Sequence, residues 1–114
     1  MTLSNGNIAL MLAMARRGGL PWDAILGAEV TRAYKPAPEA YLATARSLGI
    51  APGEPCLVAA HHSDLAAARR SGLLTAYVDR PMERGGPAAS DRDQREEWNW
   101  SSDSLTDLAK QLGC

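Results

Sequence analysis

"CLVAAHHSDLAAARRSGLLTAYV", residues 56–78, is the stretch of sequence that decides the fold. Its first apolar run predicts a fully buried parallel strand over residues 56–60. A polar loop follows, and Asp64 is placed to cap a helix over residues 65–71, which a glycine ends. A second apolar run predicts another buried strand over residues 73–78. Strand, helix and strand in this order predict a parallel βαβ unit.

The same alternation of strands and helices extends over most of the chain. Apolar runs predict further strands, apolar residues at helical spacing predict helices, and Ser104 with Asp107 forms a capping box before the last helix. The predicted strands cover residues 1–3 and 24–28, and the predicted helices cover residues 8–17 and 38–48. The pattern predicts an α/β layer fold with a parallel sheet and a ligand crevice at the carboxyl ends of its strands.

Three polar loops leave those carboxyl ends, and we expect them to form the functional site. They are residues 4–6, 29–38 and 61–64. A fourth irregular stretch, residues 79–97, is rich in Pro, Gly, Ser and charge and is long enough to be a functional loop.

Length and composition bound the class of protein. The chain has 114 residues, a hydrophobic fraction of 46%, a charged fraction of 22% and a net charge of -1. These values are typical of one soluble globular domain, which we assign to residues 1–114. Acidic and basic residues are interspersed, so no basic surface for nucleic acid is expected. The longest apolar stretch, residues 8–15, is too short for a membrane span, and it lacks the basic region of a signal peptide.

The cysteines point to a reducing compartment. Cys56 lies in an apolar run and Cys114 is the last residue, so no disulfide framework is expected. We therefore expect a cytoplasmic protein. Trp22 is expected to pack in the core, whereas Trp98 and Trp100 are expected to cover a sheet edge or a partner surface.

The three loops together resemble the later motifs of the haloacid dehalogenase superfamily, and most closely its type II branch, the L-2-haloacid dehalogenases. The matching text is "LSNGN", "WDAILGAEVTRAYKPAPEAYL", "LVAAHHSDLAAARRSGLLTAYVDRPME" and "LTDLAKQLG". The resemblance implies a three-layer Rossmann-like core with a parallel sheet, and a hydrolase of the (S)-2-haloacid dehalogenase type that needs no cofactor. Its substrate would be a small 2-haloalkanoic acid.

Family members carry a first strand with a nucleophilic aspartate and a helical cap domain before these motifs. Neither pattern matches this sequence, so the resemblance implies the carboxyl-terminal portion of a core domain that is inactive alone. Residues 91–93, "DRD", have a similar spacing of acids, but no strand precedes them and we do not assign them as the nucleophile. Without that first strand, unpaired strand edges are expected to favour a homodimer.

The resemblance assigns supporting roles to residues of the three loops. Lys35 would keep a buried carboxylate ionised and stabilise negative charge, and Asp64 would pair with Lys35 and help to place the hydrolytic water. Ser4 would hydrogen-bond the substrate carboxylate or the nucleophile, and Asn5 would contact the departing halide. His61 would line the substrate pocket. From the residues alone, the better interpretation is that Ser4 and Asn5 turn the chain and cap the first helix, and it is the other motifs that favour a functional role.

His61 and His62 are adjacent and lack a third ligand at useful spacing, so we expect loop surface and assign no metal site.

Two other functions remain open. A magnesium-dependent phosphatase of the same superfamily would need a second acidic residue in this loop, where Ala59 and Ala60 stand. The remaining alternative is a non-catalytic remnant or binding module.

Overall fold

The computed structural model describes residues 1–83, 85, 91 and 95–114. Asp93, the last residue of the "DRD" pattern, lies outside the described residues, as does part of the irregular stretch 79–97. The chain divides into two compact units, Met1–Ile50 and Ala51–Cys114. The assignment of residues 1–114 to one domain stays a prediction.

The first unit contains a two-stranded parallel sheet and three helices. Strands β1 and β2 pair in parallel, with Leu3 opposite Leu26 and Ser4 opposite Gly27. The elements in chain order are β1 (Thr2–Ser4), α1 (Ile8–Gly18), β2 (Ile25–Gly27), α2 (Ala28–Thr31) and α3 (Pro38–Leu48). The short helix α2 occupies part of a segment that was predicted to be loop.

Local sequence signals explain the ends of α1 and α3. The Leu10 amide donates to the Asn7 side chain at 2.7 Å, which caps α1. Pro38 lies in the first turn of α3, where its missing N–H costs no hydrogen bond. Gly19 and Gly49 end the two helices with φ of 60° and 69°, in the left-handed region that glycine enters readily.

The second unit contains a three-stranded sheet and two helices. The strand order is β3, β4, β5, and both pairs are parallel. The elements are β3 (Cys56–Ala59), α4 (His62–Arg70), β4 (Leu74–Val78), β5 (Trp100–Ser102) and α5 (Leu105–Gln111). The predicted strands and the α/β class are thus confirmed, but β3 is not fully buried as predicted, because Val58 in its middle is 43% exposed. Strand β5 was missed because "WSS" has no apolar run, and it forms by pairing with the edge of β4.

The core of the second unit lies where β4 meets α5. Ala76, Val78 and Leu108 form a buried cluster, and Cys56 and Trp100 pack against it. Burial raises the pKa of the Cys56 thiol, which makes the reactive thiolate less available. Among the described residues, no helix has both the length and the apolar character needed to cross a bilayer.

Two further expectations about burial, each for a single side chain, are wrong. Trp22, expected in the core, is 44% exposed and lines an open apolar groove of about 360 Å³ in the first unit. His62, expected on a loop surface, is only 5% exposed and belongs to α4.

Helix α4 also starts earlier than predicted. It begins at His62 rather than at residue 65, so Asp64 lies in its first turn and is not its N-cap. The reason is tertiary: the Ser63 amide and hydroxyl both donate to Oδ2 of Asp91, at 2.8 and 3.0 Å, from 28 residues away. This distant carboxylate satisfies a free N–H of the first turn, which allows the helix to begin sooner.

Candidate active site

The polar loop after β1 is held close to the end of β2. The Gly6 amide donates to Oγ of Ser4 at 3.0 Å, so this hydroxyl is used within the loop itself. A Cβ atom on Gly27 would lie 2.9 Å from the Gly6 carbonyl oxygen and 3.0 Å from that of Ser4. Real Cβ atoms essentially never approach so closely. A residue without a side chain is therefore required at position 27 for the loop to lie here.

Asn5 and Lys35 are brought together across 30 residues of sequence. The Lys35 amide donates to Oδ1 of Asn5 at 2.7 Å, and Nδ2 of Asn5 donates to the Lys35 carbonyl oxygen at 3.0 Å. Asn5 is exposed and Lys35 is half-buried. Three expected site residues, Ser4, Asn5 and Lys35, thus belong to one unit and lie at the carboxyl end of its strands.

Glu29 is a contributor to this loop that sequence reasoning missed. Its Oε2 accepts a hydrogen bond from the Ile8 amide at 2.6 Å, at the first residue of α1. A carboxylate is favoured there because it satisfies a free N–H and opposes the positive end of the helix dipole. Nothing in the local sequence indicates this contact, since 21 residues separate the two partners.

The other two expected site residues, His61 and Asp64, lie in the second unit, after β3. Nε2 of His61 is 2.8 Å from Oε2 of Glu83, and Arg80 lies 3.3 Å from the other oxygen of the same carboxylate. The His61 side chain is 39% exposed. His61 therefore has a carboxylate partner in the segment after β4. The interpretation of His61 as loop surface does not predict this partner.

His62 is fixed by aromatic residues. Its ring stacks on Tyr77, with ring centroids 4.4 Å apart, and on Trp98, at 5.8 Å. Nε1 of Trp98 donates to Nδ1 of His62 at 3.1 Å. An indole N–H only donates, so Nδ1 of His62 is the acceptor of this hydrogen bond. This buried ring is a packing element of α4.

Asp91 is charged and firmly held at the start of α4. Partial burial raises the pKa of its carboxyl, but the hydrogen bonds from the Ser63 amide and hydroxyl, and then the charges of His62 and His61, outweigh it. The pKa of Asp91 therefore lies below its ordinary value. Its other oxygen, Oδ1, is buried and has no hydrogen-bond partner among the described residues.

The acidic, histidine and cysteine side chains of the described ranges form no group of three or more that could hold a metal ion. In the first unit, a lysine is held through its backbone beside a polar loop. In the second unit, a carboxylate lies in the first turn of a helix.

Comparison with known proteins places the chain in a family, although no protein-family model matches it. The curated (S)-2-haloacid dehalogenase of Xanthobacter autotrophicus is 31% identical over 80 residues, which are 68% of this chain and 32% of that protein. The crystal structure of the defluorinating L-2-haloacid dehalogenase Rha0230 is 48% identical with a TM-score of 0.90, covering 96% of this chain and 45% of that one. The L-2-haloacid dehalogenase PA0810 is 47% identical with a TM-score of 0.90, covering 96% and 48%.

A more distant structure shows the shared fold alone. The L-2-haloacid dehalogenase of Xanthobacter autotrophicus is 22% identical, with a TM-score of 0.77. The chain spans about half the length of each of these solved structures. These likenesses confirm the resemblance read from the sequence: the chain belongs to the haloacid dehalogenase superfamily and is similar to about half of an L-2-haloacid dehalogenase.

Proposed function

We propose that this chain provides the supporting residues of a 2-haloacid dehalogenase whose nucleophile lies in polypeptide that the chain does not include. The observation that carries the proposal is the likeness to Rha0230, at 48% identity over 96% of the chain. The pairing of Asn5 with Lys35 supports it, because it fixes the backbone of a lysine beside a polar loop at the carboxyl end of the strands.

The proposed reaction is a two-step hydrolysis. An aspartate carboxylate attacks the carbon that bears the halogen, the carbon–halogen bond breaks and halide leaves. Water then attacks the aspartyl ester, which releases the 2-hydroxy acid and restores the aspartate. The Lys35 ammonium keeps the nucleophile ionised and stabilises the negative charge as it shifts. Asp64 helps to place the hydrolytic water.

The proposal assigns the substrate contacts to three side chains. Ser4 donates to the substrate carboxylate or to the nucleophile, and Asn5 contacts the departing halide. His61 lines the pocket and determines which substrates fit, with Glu83 holding its ring.

We further propose that the chain is a cytoplasmic homodimer. Among the described residues, β1 pairs only with β2. In the three-stranded sheet, β3 is an edge strand and pairs only with β4. Val58, in the middle of β3, is exposed. An open strand edge with apolar side chains favours association with a second chain. Light scattering measures this directly, and a monodisperse monomer would contradict it.

The experiment for the catalytic proposal supplies the missing half. The portion of Rha0230 that this chain does not match is fused ahead of Met1, and halide release from 2-chloropropionate is measured. We expect release by the fusion protein and none by the 114-residue chain alone. Mixing the two halves as separate chains provides a second form of the same test if the fusion protein does not fold.

Two controls separate the alternatives. The Lys35→Ala fusion protein tests whether release depends on this chain, because the remaining half is unchanged. Phosphate release from p-nitrophenyl phosphate with Mg²⁺ tests the phosphatase alternative. A folded fusion protein, with helical circular dichroism and a cooperative melt, that releases no halide would overturn the dehalogenase proposal. The non-catalytic alternative would then be favoured.

A further inference from the structure

The Asn5 carboxamide binds both backbone groups of a single residue. It accepts from the Lys35 N–H and donates to the Lys35 C=O, at 2.7 and 3.0 Å. Two residues of an antiparallel ladder exchange hydrogen bonds in the same way. The Asn5 side chain therefore takes the place of a neighbouring strand for the backbone of Lys35.

The residue that makes this contact is itself immobilised by its neighbours. The carbonyl oxygens of Ser4 and Gly6, which flank Asn5 in the chain, lie against Gly27. Glu29 accepts from the first amide of α1, at the end of the same loop. The loop is thus fixed to β2 and α2. The hydrogen bonds of Asn5 hold Lys35, a residue 30 positions away in the chain, against this loop.

We propose that Asn5 is a positioning residue that sets the place of the Lys35 ammonium through the Lys35 backbone. The catalytic role of the Lys35 ammonium rests on the proposed function, whereas the positioning of Lys35 by Asn5 does not. One N–H of the amide and one lone pair of its oxygen are committed to Lys35, so a halide contact can use only the second N–H. Replacement by aspartate keeps the acceptor but loses the donor, and it sets a carboxylate oxygen against the Lys35 carbonyl oxygen.

The chain offers a spectroscopic test because it contains two lysines, Lys35 and Lys110. Isotope-labelled lysine gives one amide resonance for each, and Lys110, in α5, serves as an internal reference. In Asn5→Ala we expect the Lys35 amide resonance to shift and its hydrogen exchange to accelerate about tenfold, since both hydrogen bonds are lost. The Lys110 amide should not change.

Asn7→Ala is the matched control, since it truncates the same residue type two positions later in the same loop. It removes the cap of α1 and leaves both bonds to Lys35 in place. We expect it to lower the stability of the fold without accelerating exchange at Lys35. An unchanged Lys35 amide in Asn5→Ala, or an equal change in both variants, would overturn the positioning role.

Kinetics of the fusion protein separate positioning from halide contact. In Asn5→Ala, a displaced ammonium should lower kcat by about 100-fold for both 2-chloropropionate and 2-bromopropionate. Loss of a halide contact alone would impair 2-chloropropionate, whose halide accepts the stronger hydrogen bond, and leave turnover of 2-bromopropionate nearly unchanged, and that result would overturn the proposal. Asn5→Asp should be impaired for both substrates. If the unmodified fusion protein releases no halide, the proposed function fails, and the lysine resonances still decide the positioning role.

Discussion

Replacement of Gly27 by alanine should disturb the loop that carries Ser4 and Asn5. The φ of Gly27 is -164°, an extended value that alanine adopts without strain, so the cost is purely steric. The new Cβ would lie 2.9 and 3.0 Å from two backbone oxygens, of Gly6 and Ser4. Ordinary contacts begin at 3.4 Å, so the loop must retreat by about 0.5 Å. Backbone oxygens cannot rotate away as the end of a flexible side chain can.

Such overpacking costs about 1–3 kcal/mol. The lower entropy of alanine in the unfolded chain offsets about 0.4–1 kcal/mol of this. We therefore expect Gly27→Ala to lower the free energy of unfolding by about 1–2 kcal/mol, which corresponds to a Tm decrease of about 4–16 °C for a small domain.

The assay is urea denaturation followed by circular dichroism and tryptophan fluorescence, with Gly53→Ala as the matched control. A Cβ atom on Gly53 meets nothing within 4 Å, and its φ is not in the left-handed region. We expect the control to be neutral or slightly stabilising. The Lys35 amide should shift in Gly27→Ala, because the loop that holds Asn5 moves. Equal stability of the two variants, with an unchanged Lys35 amide, would refute the steric argument.

Three further predictions concern single side chains. His62→Ala should cost about 2–4 kcal/mol of unfolding free energy, because it removes a buried ring and the acceptor of an indole hydrogen bond. His61→Ala, at an exposed ion pair, should cost at most about 1 kcal/mol. Urea denaturation compares the two variants, and equal losses of unfolding free energy would contradict the assigned burial. Lys35→Ala in the fusion protein should lower kcat for halide release by about 100-fold or more while its melting curve is retained, and near-normal turnover would exclude the proposed mechanism. Because the pKa of Asp91 is lowered in the folded state, its ionised carboxylate stabilises the fold at pH values above the unfolded-state pKa of about 3.9. This stabilisation is lost as the pH falls through the lower folded-state pKa. The stability difference between wild type and Asp91→Asn should therefore shrink below about pH 4, and a difference that does not change with pH would contradict it.

The candidate site was only partly predictable. Ser4, Asn5 and Lys35 were identified from motifs, and the structure places them in one unit at the ends of its strands. The direct pairing of Asn5 with Lys35 was not predicted, and neither was the contact of Glu29 with α1. The catalytic roles of Ser4, Lys35 and Asp64 stay predictions.

The sequence by itself determined the features that arise from neighbouring residues. Pro38 and Gly49 gave the bounds of α3, because a proline at the first turn and a left-handed glycine act on the adjacent backbone. The apolar runs predicted the positions of β3 and β4, because a run of apolar side chains favours a strand in a parallel sheet, although Val58 of β3 is exposed. Tertiary structure alone decided the start of α4, through Asp91, and the existence of β5, through the edge of β4. These features depend on hydrogen-bond partners more than 20 residues distant, and no local pattern records which distant group will satisfy a free backbone N–H.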